Sequence, residues 1–396
     1  MRLAPYTCWV LLLLSAACEQ AANDRARDAG PLTASNLHPS PSPLWQTTRA
    51  PVAANGATDP LRFNLSAPAN VFALRAHAPD WSGPLSCFAL RDVVINDSDT
   101  WIGPDTAADS GEFCNTCSER AGVGSGYGLF MLPSAADAAL SIESVSARVH
   151  LYDCLTLTAQ RRSEASPTEL EVELASWSPP PASAKLQLPL ALVVASRFVS
   201  ELPRALATVQ QIWVAAGIQI MPEPSLEIAA PPQAVVFSAV DHAALIDLSQ
   251  RARAELSSRS RDARWPVVIL TPCLRRNDLI SNGQLEPWAI TPHLPGGAAV
   301  GDEPDAIFVA AERCGGLSAA ALWGDPVQLG TVIAHELGHY LGLYHVAEAD
   351  GREDTLADTD VSDANLMRAT PSPAATQLSA GQIAIVRRHS AFAASP

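Results

Sequence analysis

The sequence predicts an α+β chain in two folded parts: a mainly-β, sandwich-like region over residues 60–178, then an α/β region over 186–396 with a mixed, mostly parallel sheet and one buried helix rich in histidine. Three observations predict it. In the second half, short apolar runs alternate with segments of helical period. In the first half, apolar and polar residues alternate with a period of two. Residues 335–345 read HELGHYLGLYH and hold three of the chain's nine histidines.

From the N-terminus, Arg2 precedes the apolar run Cys8 to Leu14, and Ser15-Ala16-Ala17-Cys18 follows. Residues 1–18 therefore read as an export signal, with a run too short to cross a bilayer. Lipid attachment at Cys18 would tether the protein to a membrane, whereas cleavage after Ala17 or Ala22 would release it, and both readings stay open. Residues 19–59 carry Pro31, Pro39, Pro41, Pro43 and Pro51 among Ala, Ser, Thr and Asn. Such a composition buries too little surface to fold and predicts a linker. No later segment is long and apolar enough for a transmembrane helix.

In the 60–178 region, Val145, Ala147, Val149 and Leu151 alternate with Ser146, Arg148 and His150, and Leu170, Val172 and Leu174 alternate with glutamates. Strands with one wet and one dry face follow. Cys87, Cys114, Cys117 and Cys154 form an even set, which in an exported chain predicts two disulfides in one of three connectivities. The Cys114-Asn115-Thr116-Cys117 pair also admits a redox, metal-binding or zinc-blocking role. Whether the region is a mature domain or an inhibitory pro-segment is open. Pro179-Pro180-Pro181 opens a second linker, 179–185.

Beyond it, Leu188–Val194, Ile218–Met221, Val267–Leu270 and Ile307–Ala310 read as buried strands. Leu202, Leu206, Val209, Trp213 and Ala216 follow helical spacing up to Gly217, and a second helix begins near Asp241. A third helix is delimited by Asp325 as cap, Pro326 at its first position and Gln328 as a capping-box partner. Its apolar stripe, Val332, Ile333, Leu337, Tyr340 and Leu341, predicts burial on one side.

On that helix His335 and His339 project from one face a turn apart, so both imidazoles can reach one metal ion. Glu336 sits where its carboxylate can hydrogen-bond a water on the metal instead of the metal itself, the position of a general base. Gly342 can take the left-handed conformation that ends a helix and returns His345 to the same ion. At the chain's own composition, these five residues fall at these offsets by accident with odds on the order of 10⁻⁵.

The motif HExxHxxGxxH, with Asn365-Leu366-Met367 downstream, resembles the metzincin zinc peptidases. The stretch DTLAD from Asp354 to Asp358 before Thr359, and LSAGQIAIVRRH from Leu378 to His389, are most similar to the pappalysin-type branch. The resemblance implies a metzincin-like catalytic domain over 186–396, one catalytic Zn²⁺ on His335, His339 and His345, and Met367 in a turn beneath it. It implies an endopeptidase, exported if residues 1–18 are a signal, whose protein or peptide substrate adds to a sheet edge before Ile307. It also places the strands at Val267 and Ile307 side by side, so that Cys273 and Cys314 become neighbours able to form a disulfide. Arg368 and Ala369 follow Met367 where some members keep a tyrosine, and 222–264 reads as an insertion.

The formal charge of −15 argues against nucleic acid and against a membrane held by basic patches. Glu348, Asp350, Glu353, Asp354, Asp358, Asp360 and Asp363 could hold Ca²⁺ or form a solvated acidic loop. The alternative to an enzyme is a non-catalytic cell-surface binding protein on a degenerate peptidase scaffold. Oligomeric state is not legible in the sequence.

Overall fold

The computed structural model describes residues 45–78, 86–102, 120–124, 127–132, 141–153, 167–194, 201–228, 232–238, 241–259, 265–277, 284–297, 304–314, 323, 325–347, 356, 358–359 and 362–392. The predicted signal, Cys18, Cys114, Cys117, Cys154 and the side chain of Cys87 lie outside the described residues.

The described residues of the first half form the strands β1 (Gln46–Pro51), β2 (Leu61–Ala69), β3 (Val71–His77), β4 (Ser86–Ile95), β5 (Asp99–Ile102), β6 (Arg120–Gly124), β7 (Tyr127–Leu132), β8 (Ile142–Asp153) and β9 (Glu169–Trp177). They pair antiparallel in two sheets, ordered β1-β9-β3-β7-β6 and β2-β8-β4-β5. The period-two patterning explains the layers. Phe72, Leu74, Leu170, Val172 and Leu174 from the first sheet share one core with Phe88, Leu90, Val145, Ala147, Val149 and Leu151 from the second. The alternate residues Val71, Ala73, Leu129, Met131, Ala175 and Trp177 face the other way and join the core of the second half.

The linker predicted over 19–59 ends earlier than expected, because β1 lies within it. Gln46, Thr47, Thr48 and Arg49 read as solvated chain. Only pairing with β9, with Thr47 Oγ1 and Arg49 Nη1 hydrogen-bonded to Glu173 and Glu169, makes them an edge strand.

The second half runs β10 (Leu186–Val194), α1 (Leu202–Ala215), β11 (Ile218–Pro222), β12 (Leu226–Glu227), β13 (Val235–Ser238), α2 (Ala243–Ser258), β14 (Val267–Thr271), β15 (Leu274–Asn277), β16 (Gln284–Leu285), β17 (Ala289–Ile290), β18 (Ile307–Ala310), α3 (Pro326–Tyr340) and α4 (Ala380–Arg387). The main sheet is ordered β11-β10-β14-β18-β17, with β12 also on β10. All its pairings are parallel except that of β17, which runs antiparallel to β18 at the edge.

Both faces of this sheet are covered, which is why its strands read as unbroken apolar runs. Leu192, Val268, Leu270, Ile307 and Val309 pack toward α1 and α3. Val193, Val267, Ile269 and Phe308 pack toward α2 and β13. Helices α1 and α3 cross closely at Gly330, where any Cβ would collide with the Ala205 carbonyl and, at 2.6 Å, with Thr208 Cβ. Cys273 and Cys314, just beyond the paired strands β14 and β18, form a disulfide with a Cα–Cα distance of 5.3 Å.

The chain's end ties the halves together. Trp177 Nε1 donates to the Arg388 carbonyl at 2.8 Å across the halves, and within the second half the adjacent His389 Nε2 donates to the Gly296 carbonyl at 3.0 Å. Burial holds His389 down to about 4, and burial with the charge of Arg91 holds His150 down to about 4. Each ring is thus neutral in the fold but titrates near 6.5 when unfolded, so protons bind the unfolded chain preferentially between those values. The contribution of His389 is expected to be complete above about pH 6.5 and to be lost toward about pH 4, so in chelator the urea midpoint should rise with pH less steeply in His389→Gln than in wild type. Equal slopes in the two proteins over that window would contradict this reading.

Candidate metal centre

Helix α3 begins with the predicted cap and proline, the Asp325 side chain accepting from Val327 N at 2.8 Å and Pro326 taking the first turn, but Asp325 bonds the second helical N–H and not that of Gln328, so the expected capping box does not form. It is buried from Leu329 to Tyr340. After Tyr340 the backbone reverses. Gly342 has φ of 99°, its N–H bonds the His339 carbonyl, and Leu343 N bonds the Gly338 carbonyl, both at 2.9 Å. The turn brings His345 back over the helix.

The three rings converge. His345 Nε2 lies 3.2 Å from His335 Nε2 and 3.1 Å from His339 Nε2. The outer nitrogens determine what the inner ones carry. His335 Nδ1 meets the Leu366 carbonyl at 2.7 Å, and His339 Nδ1 meets the Leu343 carbonyl at 2.7 Å. A carbonyl can only accept, so each Nδ1 holds the proton and each neutral ring presents a bare Nε2 lone pair to the centre. Burial, followed by the nearby His345, pushes His335 down to about 3, which keeps that ring neutral at ordinary pH.

This geometry tests whether a metal fits. A proton on His345 Nε2 could bridge to one neighbour and would leave the lone pair of the other facing that nitrogen at about 3 Å with no proton between them. A cation resolves both contacts at once. Tetrahedral zinc with Zn–N bonds of about 2.0–2.1 Å spaces its nitrogens about 3.3 Å apart, close to what the rings show. The donor set of three imidazoles is compatible with zinc.

Glu336 is buried beside these rings, and Thr291 Oγ1 donates to its Oε2 at 2.7 Å. Burial pushes its carboxyl up to about 7, against the opposing pull of Thr291 and His345. The predicted Met367 is fully buried beneath α3, its sulfur 2.5 Å from where a Cβ on Gly338 would stand. Its turn does more than fill space. Leu366 supplies the carbonyl that orients His335, Val346 N bonds the Met367 carbonyl at 2.9 Å, and the Asn365 side chain accepts from Met367 N. Asn365 in turn pairs with Gln382 of α4, whose N-terminus is closed by a Ser379–Gln382 capping box.

The three histidines and Glu336 line a cleft of about 500 Å³ walled by Trp288, Ile290, Thr291, Leu294, Tyr344 and Pro371. Edge strand β17 forms one side. Its partner β18 is braced by Trp323, whose Nε1 donates to the Ala310 carbonyl at 2.6 Å.

The structure brings together the histidines and glutamate that the sequence singled out, and adds Thr291, Tyr344 and the two carbonyls, which the sequence reading did not single out. Thr291 lies 45 positions from Glu336 with no local pattern to mark it. Carbonyl acceptors carry no sequence signal at all. The sheet edge lies at 289–290, well before the strand at Ile307. Calcium finds no support: Asp358 accepts from Gly381 N at 2.7 Å and from Ser379 Oγ at the start of α4, and Asp363 pairs with Arg368. Glu348, Asp350, Glu353, Asp354 and Asp360 lie outside the described residues.

No known family's sequence pattern matches the chain, and no curated protein does. Among solved structures, archaemetzincin from Methanopyrus kandleri is similar with a TM-score of 0.28 and 16% identity, over 52% of this chain and 88% of that one. The catalytic domain of a GH87 α-1,3-glucanase in complex with nigerose is similar with a TM-score of 0.18 and 10% identity, over 59% of this chain and 44% of that one. Likenesses this distant carry no argument about fold or function.

Proposed function

We propose that the chain is a zinc-dependent endopeptidase of metzincin-like layout, exported from the cytoplasm. One observation carries the reading: three imidazole Nε2 atoms converge, with two contacts at about 3 Å, beside a buried glutamate and in a cleft bordered by a strand edge. Export and a tether through Cys18 rest on the first eighteen residues of the sequence alone.

A zinc ion held by His335, His339 and His345 would supply a Lewis acid for the scissile carbonyl and bring the pKa of a bound water to about 7. Glu336 takes the proton of the attacking water and passes it to the leaving amine. Thr291 holds one carboxylate oxygen, leaving the other to meet the water. The extended substrate lies along β17, whose far edge carries no strand among the described residues. Apolar walls from Trp288, Ile290 and Leu294 favour apolar side chains next to the cut.

Peptide cleavage is expected to vanish on chelation and return with zinc. Glu336→Ala should keep one bound zinc while kcat falls by roughly 10²–10⁴, and retained cleavage in that variant would exclude the mechanism. Thr291→Val should lower kcat by about tenfold with little change in KM, and Thr291→Ser should restore it. Unchanged kcat in the valine variant would remove Thr291 from the account. Since the base works deprotonated, and bound zinc lowers its pKa from about 7, kcat/KM at saturating zinc should climb from acid pH to a plateau below neutrality. A profile that instead falls as pH rises through this range would contradict Glu336 as base.

A further inference from the structure

Across the five-stranded sheet, Ala175, Ala73 and Met131 stand in one row that continues to Arg120 of β6, and the two alanines on one side of Met131 are short. Met131 is buried, and its methyl lies 2.8 Å from where a Cβ on Gly342 would be. The next neighbours of that point, Ile385 and Pro295, are 3.8 and 3.9 Å away. The first half of the chain therefore touches the metal centre at its most consequential turn. That turn places His345, and through the Leu343 carbonyl it also orients the ring of His339.

We propose that Met131 is a positioning residue for the metal centre, bracing the Gly342 turn so that His339 and His345 share one ion, and that residues 46–177 are a permanent part of the catalytic unit. The proposal rests on the metal reading above. Removing this half as a pro-segment would strip the cover from the turn and expose Val71, Leu129, Met131 and Trp177, all buried in the core shared with α3. It would also break the bond from Trp177 to the Arg388 carbonyl.

Leu129 provides the control. It lies on the same strand and face one row away, opposite Arg75, and is equally buried in the shared core. Zinc affinity of the full chain is measured by competition with a chromophoric chelator, alongside thermal unfolding of the metal-free protein. Met131→Ala is expected to weaken zinc by about 10–100-fold, as loss of a group supporting the ligands does. Met131→Leu should stay within about threefold of wild type. Leu129→Ala should lower the melting temperature as much as Met131→Ala yet keep zinc affinity. Should Met131→Ala fail to fold, Met131→Val carries the same comparison. Wild-type affinity in the Met131 variant, or equal weakening in both alanine variants, overturns the proposal. Wild-type protein that takes up no zinc overturns the metal reading itself and this proposal with it.

Discussion

Two imidazole nitrogens held without protons, each about 3 Å from a third on His345, are an unfavourable arrangement unless positive charge sits among them. The surrounding structure is organised to hold it. Two backbone carbonyls fix the tautomers, a glycine with positive φ turns the chain, and burial keeps His335 neutral. Each device costs free energy alone, through strain, desolvation or ordering. Together they are understandable as the preparation of a cation site, whose binding energy offsets them.

The supports of the site come from both halves of the described chain. Two methionines lie against two glycines of one helical segment, Met367 at Gly338 from downstream and Met131 at Gly342 from the opposite half. A flexible thioether fills the irregular space over a bare backbone better than a branched side chain would. Helix α4 reaches the same place through Gln382 and Asn365, and β17 with Thr291 closes the cleft. Distant segments thus converge on one short helix end, and only the sheets that carry them fix their spacing.

Much of this was legible in the sequence because it is local. Asp325, Pro326 and Gly342 delimit α3 through capping and handedness, and the apolar runs at Leu188, Val267 and Ile307 became strands of one sheet. Tertiary context supplied the rest. Strand β1 is polar, with a proline at its end, and exists because β9 offers it a ladder. Strand β17 spans two residues, too few to show a period, yet it borders the cleft. The continuity of one core across both halves could not be inferred from alternation, which marks a wet and a dry face but not a second dry one. Val71, Ala73 and Ala175 are buried by the second half, so the face expected to be solvated is covered.

The most direct test is zinc-edge X-ray absorption on the purified, metal-loaded full chain. The account predicts one zinc per chain with a nitrogen shell at about 2.0–2.1 Å and the multiple-scattering signature of three imidazoles, reduced to two in His345→Ala. A sulfur shell at about 2.3 Å, or a spectrum unchanged by that substitution, would contradict it.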